Sequence, residues 1–429
     1  MQHLRHLLFI SLLFISLFAS AQTALKQKLE SLPGISGIEQ LESEHYGEKY
    51  LVRITQQLDP HNPEAGTFTQ RLVVCHVGFD RPTVLVTEGY GGAYAQNPRY
   101  RDELSELFNT NIVHVEYRYF MESTPEPLNW DYLTTENSAY DLHNVTTTFK
   151  QIYPEKWIST GISKGGQTTL LYRAWFPDDV DISVPYVAPL NWGVEDGRHE
   201  PFLRKVGTKK ERKLIEGFQK EVLKRRAEIM PLLEAFVKEK EMNFRVELEE
   251  VLDYCVLEYP FAFWQWGTSV EVIPALSVST EEIFKHLLQV SGPDYFTTDP
   301  YMASFFVQAA KEMGYYGYDT RPFKKLLSIK SSKGYLDRIM LTETAKPISF
   351  DRAAMYDKVY NYLKENDPKM ICIYGEVDPW SATRVPDFKG KENLQIYIEP
   401  RGSHRARIKT LPTDMQEKVK AQILQWLAK

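Results

Sequence analysis

The chain has 429 residues, of which 43% are hydrophobic, and a formal net charge of −6. This composition provides for a large buried core, and the negative charge argues against a nucleic-acid partner. The three cysteines, Cys75, Cys255 and Cys372, can form one bridge at most, which excludes a disulfide framework. The ten histidines are scattered without the paired spacing of metal ligands, so the sequence predicts no metal site.

The first 21 residues have the pattern of a cleaved export signal. Arg5 precedes an apolar stretch at residues 7–18, and Ala19-Ser20-Ala21 offers a small-residue cleavage site before Gln22. The stretch is too short to span a bilayer comfortably, and no cysteine near the cleavage site could carry a lipid. We therefore predict a mature protein that is exported to the periplasm or the medium and has no membrane anchor.

Strand and helix patterns alternate along the first part of the mature chain. Runs rich in β-branched residues predict strands, and apolar residues at helical spacing predict helices between them. Such alternation indicates an α/β fold with a parallel sheet covered on both faces. The predicted strands are residues 50–54, 71–77, 83–87 and 112–117, and the predicted helices are residues 101–108 and 138–153.

Past Asn191 the pattern becomes helical. Residues 209–241 are dense in charged side chains with apolar residues at helical spacing, which is typical of one or two amphipathic helices. No strong strand signal returns before residue 370, so we predict a helical cap inserted into the core. Further predicted helices are residues 243–254, 280–289 and 299–313. The predicted divisions are residues 22–192 for the first part of the core, 193–345 for the cap and 346–429 for the second part.

Ser163 lies in a G-x-S-x-G motif at residues 161–165, directly after a short apolar run and directly before a helix-like stretch. A serine hydroxyl is a poor nucleophile until a tight turn presents it to a base. The strand–turn–helix context is typical of the nucleophile of an α/β-hydrolase. We therefore predict that Ser163 is a catalytic nucleophile in that fold.

An acid and a histidine each follow a later predicted strand. Asp378 comes shortly after the apolar run at residues 370–374, and His404 follows the run at residues 394–398. Catalytic groups gather past the carboxyl ends of strands in open α/β sheets, and the order Ser, Asp, His is the one expected of this fold. His404 is therefore the predicted base and Asp378 the acid that orients it. Glu376 and Asp387 remain rivals for the acid.

Two backbone N–H groups are expected to stabilise the oxyanion. In this fold one donor is the residue after the nucleophile, here Lys164. The second is expected in the glycine-containing loop at residues 88–92, at Tyr90 or Gly91. We do not expect the Lys164 amine to act as a base, because adjacent residues at such a turn point in different directions.

Three segments, at residues 86–90, 116–120 and 161–168, resemble the PS-10 family of secreted serine peptidases, peptidase family S37. More distant similarity to the prolyl carboxypeptidase and dipeptidyl-peptidase II family, S28, lies at residues 68–71, 259–260 and 378–381. The S28 family has another residue in place of Lys164 and several disulfides that are absent here. The resemblance to S37 is therefore the nearer one, and it extends over residues 40–410.

The resemblance implies an exopeptidase with a helical cap and no cofactor, acting on peptides with proline before the scissile bond. For S37 it implies an aminopeptidase that releases tripeptides, or dipeptides, from N-termini. A Pro-X carboxypeptidase, or an esterase or lipase on the same residues, is the alternative, and a binding protein without catalysis is a third hypothesis. A homodimer is compatible with the sequence.

The resemblance also implies roles for individual residues. It assigns the nucleophile, acid and base to Ser163, Asp378 and His404, in agreement with the motifs. Trp380 is implied to line the proline pocket. An aminopeptidase needs an anionic group for the substrate's amine. Of the acids beside the predicted oxyanion loop, which also include Glu116 and Glu122, the sequence suggests Glu88.

Overall fold

The computed structural model describes residues 23–298 and 300–428. The predicted export signal at residues 1–21 lies outside the described residues. Within them, no helix combines the length and the apolar character needed to cross a bilayer. The three cysteines are buried and free, with Cys75 in a central strand of the sheet.

Nine strands in the described part of the chain form one sheet with the order β1-β2-β3-β5-β4-β6-β7-β8-β9. The pairs from β1 to β5 in this order are antiparallel, and those from β5 through β9 are parallel. The strands are β1 (Ile35–Gln40), β2 (Glu48–Gln57), β3 (Thr67–His76), β4 (Thr83–Thr87), β5 (Asn111–Val115), β6 (Trp157–Ile162), β7 (Ile182–Tyr186), β8 (Met370–Gly375) and β9 (Leu394–Glu399).

The parallel strands are buried because helices cover both faces of the sheet. Every residue of β4, β5, β7 and β8 is buried, as expected of strands enclosed on two sides. The alternation of strands and helices predicted from the sequence is therefore confirmed, and the architecture is that of an α/β-hydrolase. The helices of the core are α1 (Ala24–Ser31), α2 (Glu103–Phe108), α3 (Thr135–Phe149), α4 (Lys164–Trp175), α11 (Lys358–Glu365) and α12 (Thr413–Leu427).

The helices from His199 to Gln308 form a second layer over the carboxyl edge of the sheet. Its central helix, α8, packs against α6, α7 and α9 and is buried along nearly its whole length. These helices are α5 (His199–Leu203), α6 (Lys209–Lys224), α7 (Arg226–Glu239), α8 (Leu248–Gln265), α9 (Thr280–Ser291) and α10 (Pro300–Gln308).

The predicted helix at residues 243–254 is misplaced in the sequence interpretation, since α8 begins at Leu248 and continues to Gln265. A helix that is apolar on most faces lacks the amphipathic period by which its end could be recognised. Pro260 lies inside α8, where it removes one intrahelical hydrogen bond. Packing against three other helices compensates for that loss, and the helix extends to the edge of the site.

Candidate active site

Ser163 occupies the turn between β6 and α4, with φ +58° and ψ −118°. Residues other than glycine rarely adopt such a conformation, which persists only where the surroundings fix it. The Ser163 N–H donates to the Tyr186 carbonyl oxygen at 2.9 Å, which ties the turn to β7. A Cβ at Gly161 would lie 2.3 Å from the Gly165 carbonyl oxygen, so that position requires glycine. The strained turn presents the serine at the end of its strand.

Asp378 and His404 follow the carboxyl ends of the neighbouring strands β8 and β9. Both side chains are buried, and His404 Nδ1 lies 2.7 Å from Asp378 Oδ2. Asp378 Oδ1 also accepts from the Trp380 N–H at 3.1 Å, which fixes the carboxylate. A carboxylate at Nδ1 favours the tautomer that carries its proton there, so that Nε2 is the basic nitrogen. His404 Nε2 is buried and meets no hydrogen-bond partner in the described part of the chain.

The two rival acids bind elsewhere. Glu376 Oε2 accepts from the Arg401 backbone N–H at 2.7 Å. Asp387 forms an ion pair with Arg384 at 2.6 Å. Of the three acids proposed from the sequence, Asp378 is therefore the one that the structure brings to the histidine.

Ser163 and His404 line the same cleft, which has a volume of about 750 Å³. One side is the carboxyl edge of the sheet, and the other is formed by residues of α8, α9 and α10. This is the size of a pocket that takes a small ligand or a short peptide. Other lining residues include Glu88, Tyr90, Gly91, Trp380 and Glu258.

Three hydrogen bonds hold the loop at residues 88–92, one from the turn at Ser163 and two from the segment that follows β5. Lys164 Nζ donates to the Gly89 carbonyl oxygen at 2.5 Å, and the Tyr117 N–H donates to the Tyr90 carbonyl oxygen at 3.1 Å. The Gly92 N–H donates to a buried carboxylate, Glu116, at 2.8 Å. These bonds with Lys164, Tyr117 and Glu116 therefore fix the backbone of the loop in the absence of substrate.

The Lys164 side chain is buried in the core and does not line the cleft. Its Nζ lies 3.3 Å from the centre of the Tyr117 ring, within cation–π range. Burial lowers the pKa of Lys164 well below its usual value, and the nearby Glu88 carboxylate partly opposes that shift. The contacts of this amine support the loop at residues 88–92.

Among the described residues, none accepts a hydrogen bond from the backbone N–H groups of Lys164 and Gly91. The Tyr90 N–H, in contrast, donates to Glu88 Oε1 at 3.2 Å. Burial raises the pKa of the Tyr90 hydroxyl, as does the charge of Glu88, and a hydrogen-bond interaction with Ser163 opposes the rise. The N–H groups of Lys164 and Gly91 are therefore unengaged, and Tyr90 and Gly91 line the same cleft as Ser163.

Glu88 is hydrogen-bonded within its own loop. Oε1 accepts from the N–H groups of Gly89 and Tyr90, and Oε2 accepts from the Tyr94 hydroxyl. His114 Nε2 lies 3.6 Å from Oε2. Burial raises the pKa of this carboxyl, but these hydrogen bonds and His114 outweigh it, so that the net pKa is lowered. The contacts of Glu88 are those of a group that ties loops together.

Trp380 belongs to an aromatic wall of the cleft. Its ring centre lies 6.5 Å from that of His404, 5.5 Å from Tyr315 and 5.3 Å from Tyr316. Phe261 of α8 packs edge-to-face on Trp380 at 5.2 Å and stacks on Tyr316 at 3.7 Å. The wall offers flat apolar faces beside the histidine.

Glu258 of α8 is a cleft residue that the sequence interpretation missed. Its Oε2 accepts from the hydroxyls of Tyr316 at 2.9 Å and Tyr318 at 2.8 Å, and the side chain is buried. Burial raises the pKa of Glu258 to about 8, against the two tyrosine hydrogen bonds, which lower it. The available signal was an acid directly before the Tyr259-Pro260 pair, within the apolar second half of α8.

The fold and this cluster together define a serine hydrolase. A mostly parallel sheet carries a strained serine after one strand and a hydrogen-bonded carboxylate and histidine after two later ones. Within the described residues, no group of three or more His, Cys, Asp or Glu side chains is placed to hold a metal ion.

The family model of the PS-10 peptidases, S37, matches residues 19–429. A prolyl tri/tetrapeptidyl aminopeptidase from Streptomyces mobaraensis is 32% identical over 448 residues, covering 99% of this chain and 91% of that protein. The chain therefore belongs to the S37 family of PS-10 peptidases, and it is a serine hydrolase of the peptidase type. The family resemblance inferred from the sequence motifs is confirmed.

Solved structures of α/β-hydrolases are similar at a greater distance. A proline iminopeptidase from Mycobacterium smegmatis is 11% identical with a TM-score of 0.38, over 91% of this chain and 98% of that chain. The peroxisomal α/β-hydrolase Lpx1 from Saccharomyces cerevisiae is 11% identical with a TM-score of 0.39, over 90% and 91% of the two chains. Likenesses this distant do not bear on the substrate.

Proposed function

We propose that the protein is an exported serine aminopeptidase that releases tripeptides, or dipeptides, from peptide N-termini after proline. The observation that carries the proposal is the placement of Ser163, His404 and the aromatic wall of Trp380 in one cleft under the cap helices. The Streptomyces mobaraensis relative is a prolyl tri/tetrapeptidyl aminopeptidase, which supports the proline preference and the release of tripeptides but not of dipeptides. Export rests on the sequence pattern of residues 1–21.

Ser163 is the nucleophile in this proposal. His404 Nε2 takes the hydroxyl proton as Ser163 Oγ bonds to the scissile carbonyl carbon, and Asp378 stabilises the imidazolium that forms. His404 then gives the proton to the leaving nitrogen, the C–N bond breaks, and the acyl-enzyme remains. Water attacks the ester in the second half, with His404 again acting first as base and then as acid.

The backbone N–H groups of Lys164 and Gly91 are the proposed oxyanion donors. Both lack a protein acceptor in the described part of the chain, whereas the Tyr90 N–H is engaged by Glu88 at 3.2 Å. Preorganised donors of this kind stabilise the charge that develops on the carbonyl oxygen. The phenol of Tyr90 lines the same cleft as Ser163 and is proposed as a third donor.

Trp380 is the proposed contact for the proline ring. A rigid pyrrolidine ring buries its apolar surface on a flat aromatic face with little loss of conformational freedom. Trp380 lies next to His404, so the residue that it receives is the one beside the reacting carbonyl. This position corresponds to proline before the scissile bond.

A Pro-X carboxypeptidase is the second candidate. The cleft is also lined by Arg405 and Arg407, the first and third residues after His404. A guanidinium could bind a substrate's terminal carboxylate. On this alternative, a peptide with a blocked amine and a free carboxylate would be the better substrate.

Hydrolysis of a matched set of proline substrates tests the proposal. The set comprises dipeptidyl and tripeptidyl proline anilides with free amines and the same tripeptidyl anilide with an acetylated amine. It also includes an acetylated peptide in which one residue with a free carboxylate follows proline. The mature protein is compared with Ser163→Ala throughout. We expect the free-amine tripeptide anilide to be cleaved fastest, with all activity lost in Ser163→Ala. Preference for the acetylated peptide with a free carboxylate would instead establish the carboxypeptidase, and turnover of simple esters alone would establish an esterase.

A further inference from the structure

Glu258 is a buried carboxyl on the cap side of the substrate cleft. It projects from α8, and its Oε2 is fixed by the hydroxyls of Tyr316 and Tyr318. Both hydrogen bonds engage the same oxygen, and the residue lines the cleft shared with Ser163 and His404. The second oxygen, Oε1, accepts no bond from the described residues.

No cation neutralises this carboxyl within the part of the chain that the structure describes. The ion pairs of neighbouring cap residues leave it out, and no lysine, arginine or histidine contributes to its raised pKa. Buried acids in folded proteins are ordinarily paired, because an isolated ionised carboxylate is costly. A buried acid without a counter-ion, facing a substrate cleft, is suited to a cationic ligand group.

We propose that Glu258 is the anchor for the free α-ammonium group of the peptide substrate. The inference rests on the proposed aminopeptidase function and names the residue that makes the cleft select N-termini. The ammonium would donate to Oε1 while the two tyrosines hold Oε2. Its arrival supplies the missing counter-charge and favours the ionised carboxylate.

The aromatic wall connects this anchor to the reacting groups. Trp380 adjoins His404, the ring of Tyr316 adjoins Trp380 at 5.3 Å, and the hydroxyl of Tyr316 binds Glu258. One tyrosine therefore separates the proposed proline contact from the anchor. An extended peptide advances about 3.3–3.6 Å per residue, so this arrangement suits an N-terminus a few residues from the scissile bond.

Glu88, the acid suggested by the sequence, is less suited to this role. Its oxygens already accept from two backbone N–H groups and from the Tyr94 hydroxyl, and His114 lies close by. An ammonium at Glu88 would have to displace bonds that hold the oxyanion loop. Glu258 can bind one without giving up a contact.

Glu258→Gln is a clean probe, because an amide oxygen can still accept from both tyrosines. Asp294→Asn is the matched control: it removes a carboxylate from the exposed rim of the same cleft. The readouts are kcat/KM for the tripeptidyl proline anilide with a free or acetylated amine, and competitive inhibition by a free or acetylated proline tripeptide. Thermal unfolding of each variant reports on its fold.

In Glu258→Gln we expect kcat/KM for the free-amine substrate to fall about 10- to 100-fold, as for a lost hydrogen bond between charged groups. Inhibition by the tripeptide with a free amine should weaken to the same degree. The kcat/KM of the acetylated substrate and the inhibition by the acetylated tripeptide should each change by less than about threefold. Asp294→Asn should leave the ratio of free to acetylated substrates as in wild type.

Failure of this inference differs from failure of the proposed function. If wild type shows no preference for the free-amine substrate, the aminopeptidase proposal falls and takes the anchor with it. If wild type prefers the free amine and Glu258→Gln retains the full preference, Glu258 is not the anchor and the proposed function stands. Equal losses on free and acetylated substrates in a folded Glu258→Gln protein would also overturn the inference.

Discussion

Lys164 donates from its buried Nζ to the Gly89 carbonyl oxygen, which joins the turn at Ser163 to the loop at residues 88–92. The residue directly after the serine therefore supports the loop that faces the serine. Its backbone N–H is a proposed oxyanion donor, and its side chain fixes the loop that carries the other. The two halves of the proposed oxyanion site are coupled through one residue.

Lys164→Met should lower kcat about 10- to 100-fold with little change in KM, because the oxyanion loop loses its support while the substrate-binding wall remains. Steady-state kinetics on the free-amine tripeptide anilide separates the two parameters. Lys49→Met is the control, since Lys49 is another buried lysine that donates to a backbone carbonyl, Asn97, at 2.7 Å. A rise in KM at constant kcat in Lys164→Met would contradict the positioning role.

Asp378→Asn should lower kcat about 10⁴-fold, because an amide can hold the imidazole in the wrong tautomer. Glu376→Gln, two residues away, should change kcat by less than about threefold, since its carboxylate binds the Arg401 backbone instead. Rates measured side by side at one pH decide the matter. Comparable losses in the two variants would reopen the assignment of the acid.

Trp380→Leu should reduce kcat/KM about 10- to 100-fold for substrates with proline before the scissile bond, since the flat face is lost. Substrates with alanine at that position should lose less than about threefold. Trp264→Leu removes a tryptophan from a different cavity of the cap and is the control. Equal losses on the proline and alanine series would show that Trp380 acts only in packing.

Glu258 should impose a pH dependence on stability. Its carboxyl has an ordinary pKa of 4.5, and burial raises the pKa in the folded state to about 8. Between these values the unfolded chain has lost the proton that the folded protein keeps, so the free energy of unfolding falls as pH rises through this window. Glu258→Gln removes that dependence and should gain stability relative to wild type between pH 5 and pH 9. Urea unfolding at pH 5 and pH 9 measures the free energy of unfolding of both proteins. If that free energy changes with pH by the same amount in wild type and in Glu258→Gln, the burial argument is contradicted.

The core of the fold could be predicted because its local patterns are strong. The turn at Ser163 combines a buried strand, two glycines and a helix, and each of these has its own sequence signal. Short elements with weak periodicity, such as β7 and α11, were not predicted. For α8, the apolar second half lacks the amphipathic period that marks a helix end, and only the tertiary packing shows that the helix continues to Gln265.

The site shows the same division. Asp378 and His404 could be predicted because each follows a strand, whereas their hydrogen bond depends on the pairing of β8 with β9. Glu258 could not be singled out, because it is one of four acids in α8 and the sequence does not reveal which of them faces a cleft. The side chain of Lys164 was likewise beyond prediction, since its acceptor, Gly89, belongs to a distant part of the chain.

Labelling of the folded protein with a fluorophosphonate tests the central assignment most directly. The probe reacts preferentially with a serine that a neighbouring base activates, and peptide mass spectrometry locates the adduct. We expect one adduct, on Ser163, formed in parallel with the loss of peptidase activity and absent from Ser163→Ala. Full activity in a protein labelled at Ser163, or an inactivating adduct on another residue, would contradict the assignment.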